Sequence, residues 1–153
     1  MRLLLDTTYL LPAIGISIKN IPSDTPIKLI QKGHQVSMSD ISVFELSAKG
    51  AKFVTAGKLS PERAARGVRA IIYDEAIEII PSYESTILLT AFKLRSVLTD
   101  FIDCLILSTA VNRCRALVTE DDDIKILRRK SELDELLKAI NPEFMIQTLS
   151  ETI

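Results

Sequence analysis

Two carboxylates stand where two predicted strands end. Asp6 directly follows the apolar run 3–5, and the apolar run 117–119 leads into an acidic stretch that contains Asp121. These are the two outer strands of the predicted sheet. An open parallel sheet binds ligands at the carboxyl ends of its strands, where the strand order reverses. If the two strands are neighbours at that point, Asp6 and Asp121 face each other across one crevice.

Three further acids could point toward the same crevice. Asp100 and Asp103 stand three residues apart at the start of a predicted helix and therefore share one face of it. Glu45 lies in the first turn of an earlier helix. Four carboxylates that converge without as many cations are too costly to bring together unless hard divalent cations neutralise them. Because such a site offers only oxygen ligands and the chain has a single histidine, we expect one or two Mg²⁺ or Mn²⁺ ions rather than zinc.

These acids also have structural interpretations. Ser42 and Glu45 have the spacing of a capping box. Asp100 and Asp103 would each favour a helix N-terminus through the helix dipole. Asp103 is the sharper candidate for function because it introduces the most apolar helix of the chain, where an uncompensated acid is a liability. Within the stretch 120–123 we expect about two of the acids to be ordinary charges of a helix N-terminus.

The charge of the chain is balanced overall but divided along its length. The 153 residues include 19 Lys and Arg against 20 Asp and Glu, which argues against a protein that coats nucleic acid by bulk attraction. Cations nevertheless outnumber acids in residues 28–73, whereas acids dominate residues 99–123. No run approaches the roughly 18 apolar residues of a membrane span, and Asp6 interrupts the first apolar run too early for a signal peptide. We therefore expect a cytoplasmic protein without a membrane segment.

Strands and helices alternate along the whole chain. Short apolar runs predict five strands, at 3–5, 34–39, 76–80, 116–119 and 142–148. Capping signals and apolar periodicity predict helices at about 27–32, 42–56, 60–73, 87–98, 101–113, 124–130 and 132–139, with a further short helix after Thr8. This alternation predicts a parallel α/β sheet with helices on both faces. Because no linker, repeat or low-complexity stretch divides the chain, we expect a single domain that covers residues 1–153.

Four segments of the chain resemble the four motifs of the PIN domain family, in the same order and spacing. They are residues 4–8, 39–46, 101–110 and 117–123. The resemblance spans essentially the whole chain and implies a three-layer α/β/α sandwich around a central parallel sheet of four to five strands. It also implies a metal-dependent ribonuclease, most often the VapC-type toxin of a toxin–antitoxin pair.

By motif position, the resemblance makes Asp6, Glu45, Asp103 and Asp121 the four catalytic and metal-binding acids, with Asp123 assisting. Two choices stay open within this assignment. The ligand in the third motif is either Asp103 or the additional acid Asp100. The ligand in the fourth motif is one of the acids in residues 121–123.

Mg²⁺- or Mn²⁺-dependent hydrolysis of RNA phosphodiester bonds is therefore the predicted activity. Thr8 stands where the family usually has Ser or Asn, and either Thr8 or Thr119 would orient a water molecule or an acid. The spacing of the arginines is more typical of a solvated helix face than of an RNA-binding surface. Four cations are nevertheless candidates to hold the RNA backbone: Lys49, Lys52, Arg63 and Arg66. We expect a homodimer, because the apolar face in residues 87–98 exceeds what one small sheet needs and the family usually dimerises. The implied partner is a small antitoxin protein.

Three other functions compete with this one. The first is a non-catalytic PIN-like module that binds RNA or protein without cleaving. The second is a haloacid-dehalogenase-like phosphatase, which also begins with a strand that ends in Asp, but which needs a second Asp where this chain has Thr8. The third is a receiver domain, which needs an acid pair after the first strand, and that pair is missing here.

Overall fold

Five short strands form one all-parallel sheet at the centre of the protein. The computed structural model describes residues 1–153. The strands are β1 (Arg2–Leu5), β2 (Gln35–Ser39), β3 (Ile77–Ile80), β4 (Ala116–Val118) and β5 (Met145–Gln147). They are ordered β3-β2-β1-β4-β5 across the sheet. The five predicted strands are confirmed, but the prediction that β1 and β4 are outer strands is wrong, because β1 lies at the centre with β4 beside it.

Helices cover both faces of this sheet. The α-helices are α1 (Thr25–Gln31), α2 (Ile41–Thr55), α3 (Pro61–Ile72), α4 (Ser85–Leu94), α5 (Phe101–Arg113), α6 (Asp122–Lys125), α7 (Ser131–Ile140) and α8 (Leu149–Thr152). Two 3₁₀ helices, Thr7–Ile14 and Ile126–Arg129, complete the chain. One apolar cluster joins the sheet to α4, α5 and α7, and the other joins it to the first 3₁₀ helix, α1 and α3. The predicted three-layer α/β/α sandwich is confirmed.

None of these helices has both the length and the apolar content that a membrane crossing requires.

The strand order reverses beside β1, and this reversal fixes where a ligand site can form. The chain passes from β1 to β2 and β3 on one side, and then returns to place β4 and β5 on the other side. Leu5 pairs with Val118 in the parallel register of β1 and β4. The backbone N–H of Asp6 then donates to the Val118 carbonyl at 3.0 Å. The carboxyl ends of these two strands therefore meet at the switch point, where parallel sheets bind ligands.

The predicted capping box of α2 is wrong. The helix begins at Ile41, and its N-cap residue Asp40 makes no side-chain capping bond. Ser42 instead lies inside the helix, fully buried, and its hydroxyl accepts a hydrogen bond from the Thr7 hydroxyl at 3.0 Å. Because Asp40 is the N-cap residue and the Ser42 hydroxyl binds Thr7, Ser42 and Glu45 do not form a capping box.

A close approach between α3 and the first 3₁₀ helix depends on Gly67. A Cβ atom at this position would lie 2.4 Å from the Ala13 carbonyl oxygen and 2.5 Å from the Ile14 Cα. Arg63 on the same helix donates to the Ala13 carbonyl at 2.8 Å. Helix α3 therefore packs against the C-terminal end of the 3₁₀ helix, whose N-cap is Asp6.

Candidate functional site

Asp6 is held from two directions at the end of β1. Its carboxylate accepts from the Thr7 backbone N–H at 2.7 Å through Oδ1, and from the Thr119 hydroxyl at 2.5 Å through Oδ2. The residue is only 6% exposed. Burial raises the pKa of Asp6, and the two hydrogen bonds work against this rise because they favour the charged form. Asp6 is thus a buried carboxyl group with a fixed orientation.

Thr119 connects the two acids at the switch point. The same hydroxyl that donates to Asp6 accepts a hydrogen bond from the Asp121 backbone N–H at 3.0 Å. Asp121 is the N-cap of α6, and its Oδ1 accepts from the N–H groups of Asp123 and Ile124 at 2.8 and 3.2 Å. The end of β4 therefore orients both Asp6 and Asp121 through one side chain.

The pKa of Asp103 responds to its burial and to the charges of the other candidate acids. This residue sits in the first turn of α5 and is partly exposed. Burial and, to a smaller extent, the negative charges of four other acids together raise the pKa of Asp103 to about 7. In order of effect these acids are Asp100, Asp121, Asp6 and Glu45. The protonated form of Asp103 is therefore favoured first by burial and second by the negative charges of these acids.

Two of these acids make contacts outside the crevice. Asp100 is the N-cap of α5, and its Oδ1 accepts from the Ile102 N–H at 2.8 Å. The side-chain Oε1 of Glu45 lies 4.0 Å from the Lys49 ammonium. Asp100 therefore keeps the structural role that its position allowed, while Glu45 lies beside a cation of its own helix.

Asp123 and Thr8 line two different cavities. Asp123 is exposed and lines a cavity of about 210 Å³ together with Asp100, Asp103 and Lys130. Thr8 is partly exposed and lines a different cavity of about 560 Å³. The sequence left open whether Thr8 or Thr119 orients an acid of the site. In the structure it is the Thr119 hydroxyl that donates to the Asp6 carboxylate.

The oxygen atoms of the candidate acids are the kind of ligand that a hard divalent cation prefers, but the acids do not converge on one point. No group of three or more His, Cys, Asp or Glu side chains is close enough to hold a metal ion as the side chains stand. Like charges at short range repel, and Asp6 and Asp121 each use oxygen atoms to accept hydrogen bonds from their own loops. A divalent cation would remove that repulsion and would find only oxygen ligands.

The four cations predicted to hold RNA are spread over α2 and α3. Lys49 lies beside Glu45, whereas Lys52 and Arg66 are exposed. Arg63 is bound to the Ala13 carbonyl, seven residues from Asp6, which corresponds to about 14 Å along a 3₁₀ helix. Of these four cations, Lys49 is the one that the fold brings next to a predicted site acid.

Sequence reasoning missed two polar groups next to the site. Glu120 accepts from the Tyr9 hydroxyl at 2.7 Å and from the Leu149 N–H at 3.0 Å, so it ties the first 3₁₀ helix and α8 to the loop after β4. Ser39, at the end of β2, has a buried hydroxyl oxygen without a hydrogen-bond partner. Glu120 was visible only as one member of an acidic run, and nothing in the sequence distinguished Ser39.

The chain resembles known proteins in sequence and in fold. Residues 3–130 match the family model described as the PIN domain. No curated protein matches the sequence. The fold is similar to a chain in the crystal structure of VapBC2 from Rickettsia felis bound to a DNA fragment from their promoter, with a TM-score of 0.62 and 20% sequence identity. The match covers 97% of this chain and 98% of the other, and at this identity it is a likeness of fold.

Proposed function

This chain belongs to the PIN domain family, and on that premise we propose that it is a Mg²⁺- or Mn²⁺-dependent ribonuclease. In this proposal residues 1–153 act as a single nuclease domain that hydrolyses RNA phosphodiester bonds. PIN domains are generally nucleases that use divalent metal ions. The hydrogen bonds that Thr119 makes to Asp6 and to the backbone of Asp121 support the proposal most directly, because they hold two of the four motif acids at the switch point of the sheet.

Asp6, Glu45, Asp103 and Asp121 would hold one or two metal ions, with Asp123 at the edge of the site. The bound ion would lower the pKa of a water molecule and stabilise the charge that develops on the phosphate. The Asp103 carboxyl must lose its proton before it can act as a ligand, so metal binding is expected to release protons near neutral pH. Thr119 would keep the Asp6 carboxylate in place during this exchange through its hydrogen bond.

We further propose that the chain is the toxin of a VapBC-type pair, with a small antitoxin as its partner. The likeness of fold to the chain in VapBC2 supports this assignment. A homodimer is part of the same proposal. An exposed apolar surface on α4 and α5 supports it, where the rings of Phe92 and Phe101 stack with their centroids 5.8 Å apart although 63% and 37% of these residues are exposed.

A non-catalytic PIN-like module is the second candidate. The acids are not drawn in around one ion-binding centre, which favours a binding role over hydrolysis. The two candidates differ in a simple way, since a binding module would take up no Mn²⁺ at the acidic pocket, whereas the nuclease must.

The test is Mn²⁺-dependent cleavage of a broad set of structured RNAs by the wild type and by variants of the acids. We expect Asp6→Asn and Asp121→Asn to lose about 100-fold or more of the cleavage rate, in line with the loss of one transition-state-stabilising group. Asp74→Asn is the matched control. This exposed acid lies in the turn before β3, and the only hydrogen bond of its side chain, from the Ala76 N–H, is one that an amide oxygen also accepts.

Equal cleavage by wild type and Asp6→Asn would contradict the assignment of the site. Absence of cleavage in every protein, together with no heat of Mn²⁺ binding by calorimetry, would favour the non-catalytic module. Heat of Mn²⁺ binding that disappears in Asp6→Asn but persists in Asp74→Asn would support the metal site itself.

A further inference from the structure

Four of the six residues 125–130 are cations, a segment that we call the cationic ridge. It comprises the last residue of α6, the second 3₁₀ helix and the residue after it. The four cations are Lys125, Arg128, Arg129 and Lys130. The ridge follows Asp121 and Asp123 closely in the chain, but none of its cations belongs to the set that the sequence predicted to bind RNA.

Two of these cations are compensated within the protein. The Lys125 ammonium lies 3.0 Å from a carboxylate oxygen of Asp122. The guanidinium of Arg128 donates to both carboxylate oxygens of Glu151, at 3.1 and 3.0 Å. Arg129 is exposed and has no ion pair or side-chain hydrogen bond.

Lys130 is likewise exposed and has neither an ion pair nor a side-chain hydrogen bond. The ridge therefore presents two uncompensated positive charges to solvent. Such charges attract polyanions, because a phosphate backbone releases counterions when cations replace them.

The ridge shares a cavity with Asp103, one of the four motif acids. Lys130 lines the 210 Å³ cavity that contains Asp100, Asp103 and Asp123. Arg129 lines a second cavity of about 350 Å³, and Ile126 lines both cavities, so the two are separated by one residue. An RNA strand that lies across Ile126 would thus meet Lys130 and the acids of the first cavity on one side, and Arg129 on the other side.

A concentration of acids repels an RNA strand, so the strand needs cations close to the crevice to reach it. Arg63, of the cations predicted from the sequence, is already bound to a carbonyl at the far end of the first 3₁₀ helix. Lys52 and Arg66 lie on α2 and α3, helices that line neither cavity beside the ridge. The two free cations of the ridge lie where this attraction is required.

We propose that Arg129 and Lys130 bind phosphates of the RNA strand next to the one that is cleaved and hold the strand against the acidic crevice. The choice of RNA as the polyanion rests on the proposed function. In this arrangement Ile126 lies beneath the strand, and the ion pairs of Lys125 and Arg128 keep the ridge itself in place.

The test measures how strongly RNA binding depends on salt. Fluorescence anisotropy of a short single-stranded RNA of mixed sequence, in EDTA to prevent cleavage, gives the dissociation constant from about 50 to 200 mM salt. Each phosphate contact on a single strand contributes about 0.7 to the slope of log K against log salt. We expect the double variant Arg129→Gln with Lys130→Gln to lower the magnitude of this slope by about 1.4.

The double variant Lys32→Gln with Lys58→Gln is the charge-matched control, because it removes two positive charges from exposed side chains that line neither cavity beside the ridge. It should leave the slope unchanged. Thermal unfolding by circular dichroism should give the same melting temperature for both double variants, since all four side chains are exposed.

An unchanged slope in the ridge variant would overturn the inference, and so would an equal decrease in both double variants, which would mean bulk charge alone. Tighter binding of a polyglutamate peptide than of RNA to the ridge would overturn it in favour of an acidic protein partner. Mn²⁺-dependent cleavage by the wild type together with an unchanged slope would refute the ridge and leave the proposed function standing. A lowered slope in the ridge variant without any cleavage by the wild type would support RNA binding by the ridge and refute the proposed nuclease function.

Discussion

Asp103→Asn should stabilise the protein in the absence of metal, although it changes a predicted catalytic residue. The pKa of Asp103 is about 7 in the folded protein, because burial and the neighbouring acids disfavour its charge, against 3.8 for an ordinary Asp. Well below pH 3.8 the carboxyl is protonated in both states and its burial has no effect on stability. As the pH rises to about 7, the unfolded chain ionises first and the folded protein loses stability.

The size of this effect follows from the two pKa values. The difference between about 7 and 3.8 corresponds to about 4 kcal/mol above pH 7 if solvent does not screen the charge. Because Asp103 is partly exposed, we expect about 2 kcal/mol. For a chain of this length, that raises the melting temperature of the Asn variant by about 4–8 °C at pH 8.

The assay is thermal unfolding in EDTA at a series of pH values between about 4 and 8. Asp103→Asn and wild type should converge at the acid end and separate as the pH rises. Asp100→Asn should give part of the same gain, because an amide oxygen can still cap α5 while the charge that raises the pKa of Asp103 most is removed. Asp74→Asn should match the wild type throughout, since Asp74 is exposed.

Saturating Mn²⁺ should reverse the order of the two proteins. A ligand present at about 100 times its dissociation constant stabilises the folded state by about 2.7 kcal/mol, and the wild type gains this while Asp103→Asn does not. A stability difference that is the same at every pH, or an Asn variant that is less stable at pH 8 in EDTA, would refute the electrostatic reasoning.

Two further predictions concern stability, and each has an internal control. Gly67→Ala should destabilise the protein by about 1–3 kcal/mol, because its Cβ meets the backbone of the first 3₁₀ helix. Gly50→Ala, whose Cβ meets only side chains, should be neutral or stabilising by up to about 1 kcal/mol. Thermal unfolding measures both variants, and equal effects would contradict the packing argument. Tyr9→Phe should lower the urea midpoint by the equivalent of about 1.5–3 kcal/mol through loss of the hydrogen bond to Glu120, while Tyr83→Phe, at a residue that is 73% exposed, should have no effect.

The sequence by itself predicts the main strands and helices and the acidic residues of the candidate site. Strand β1 is an apolar run that stops at Asp6, and α5 is a helix whose residues 104–111 are all buried, as its composition predicted. Both signals are local, since they depend on the solubility and periodicity of a few consecutive side chains. The acids themselves were visible for the same reason, because each one interrupts or introduces an apolar segment.

The tertiary structure decided which of these groups meet. The sequence had β1 at the edge of the sheet, and it let Ser42 and Glu45 cap a helix, whereas the fold places β1 beside β4 and uses Ser42 to bind Thr7. The hydrogen bond from Thr119 to Asp6 joins residues 113 positions apart. Such contacts follow from the strand order, and the strand order follows from burying both faces of the whole sheet at once, a condition that no short stretch of sequence contains.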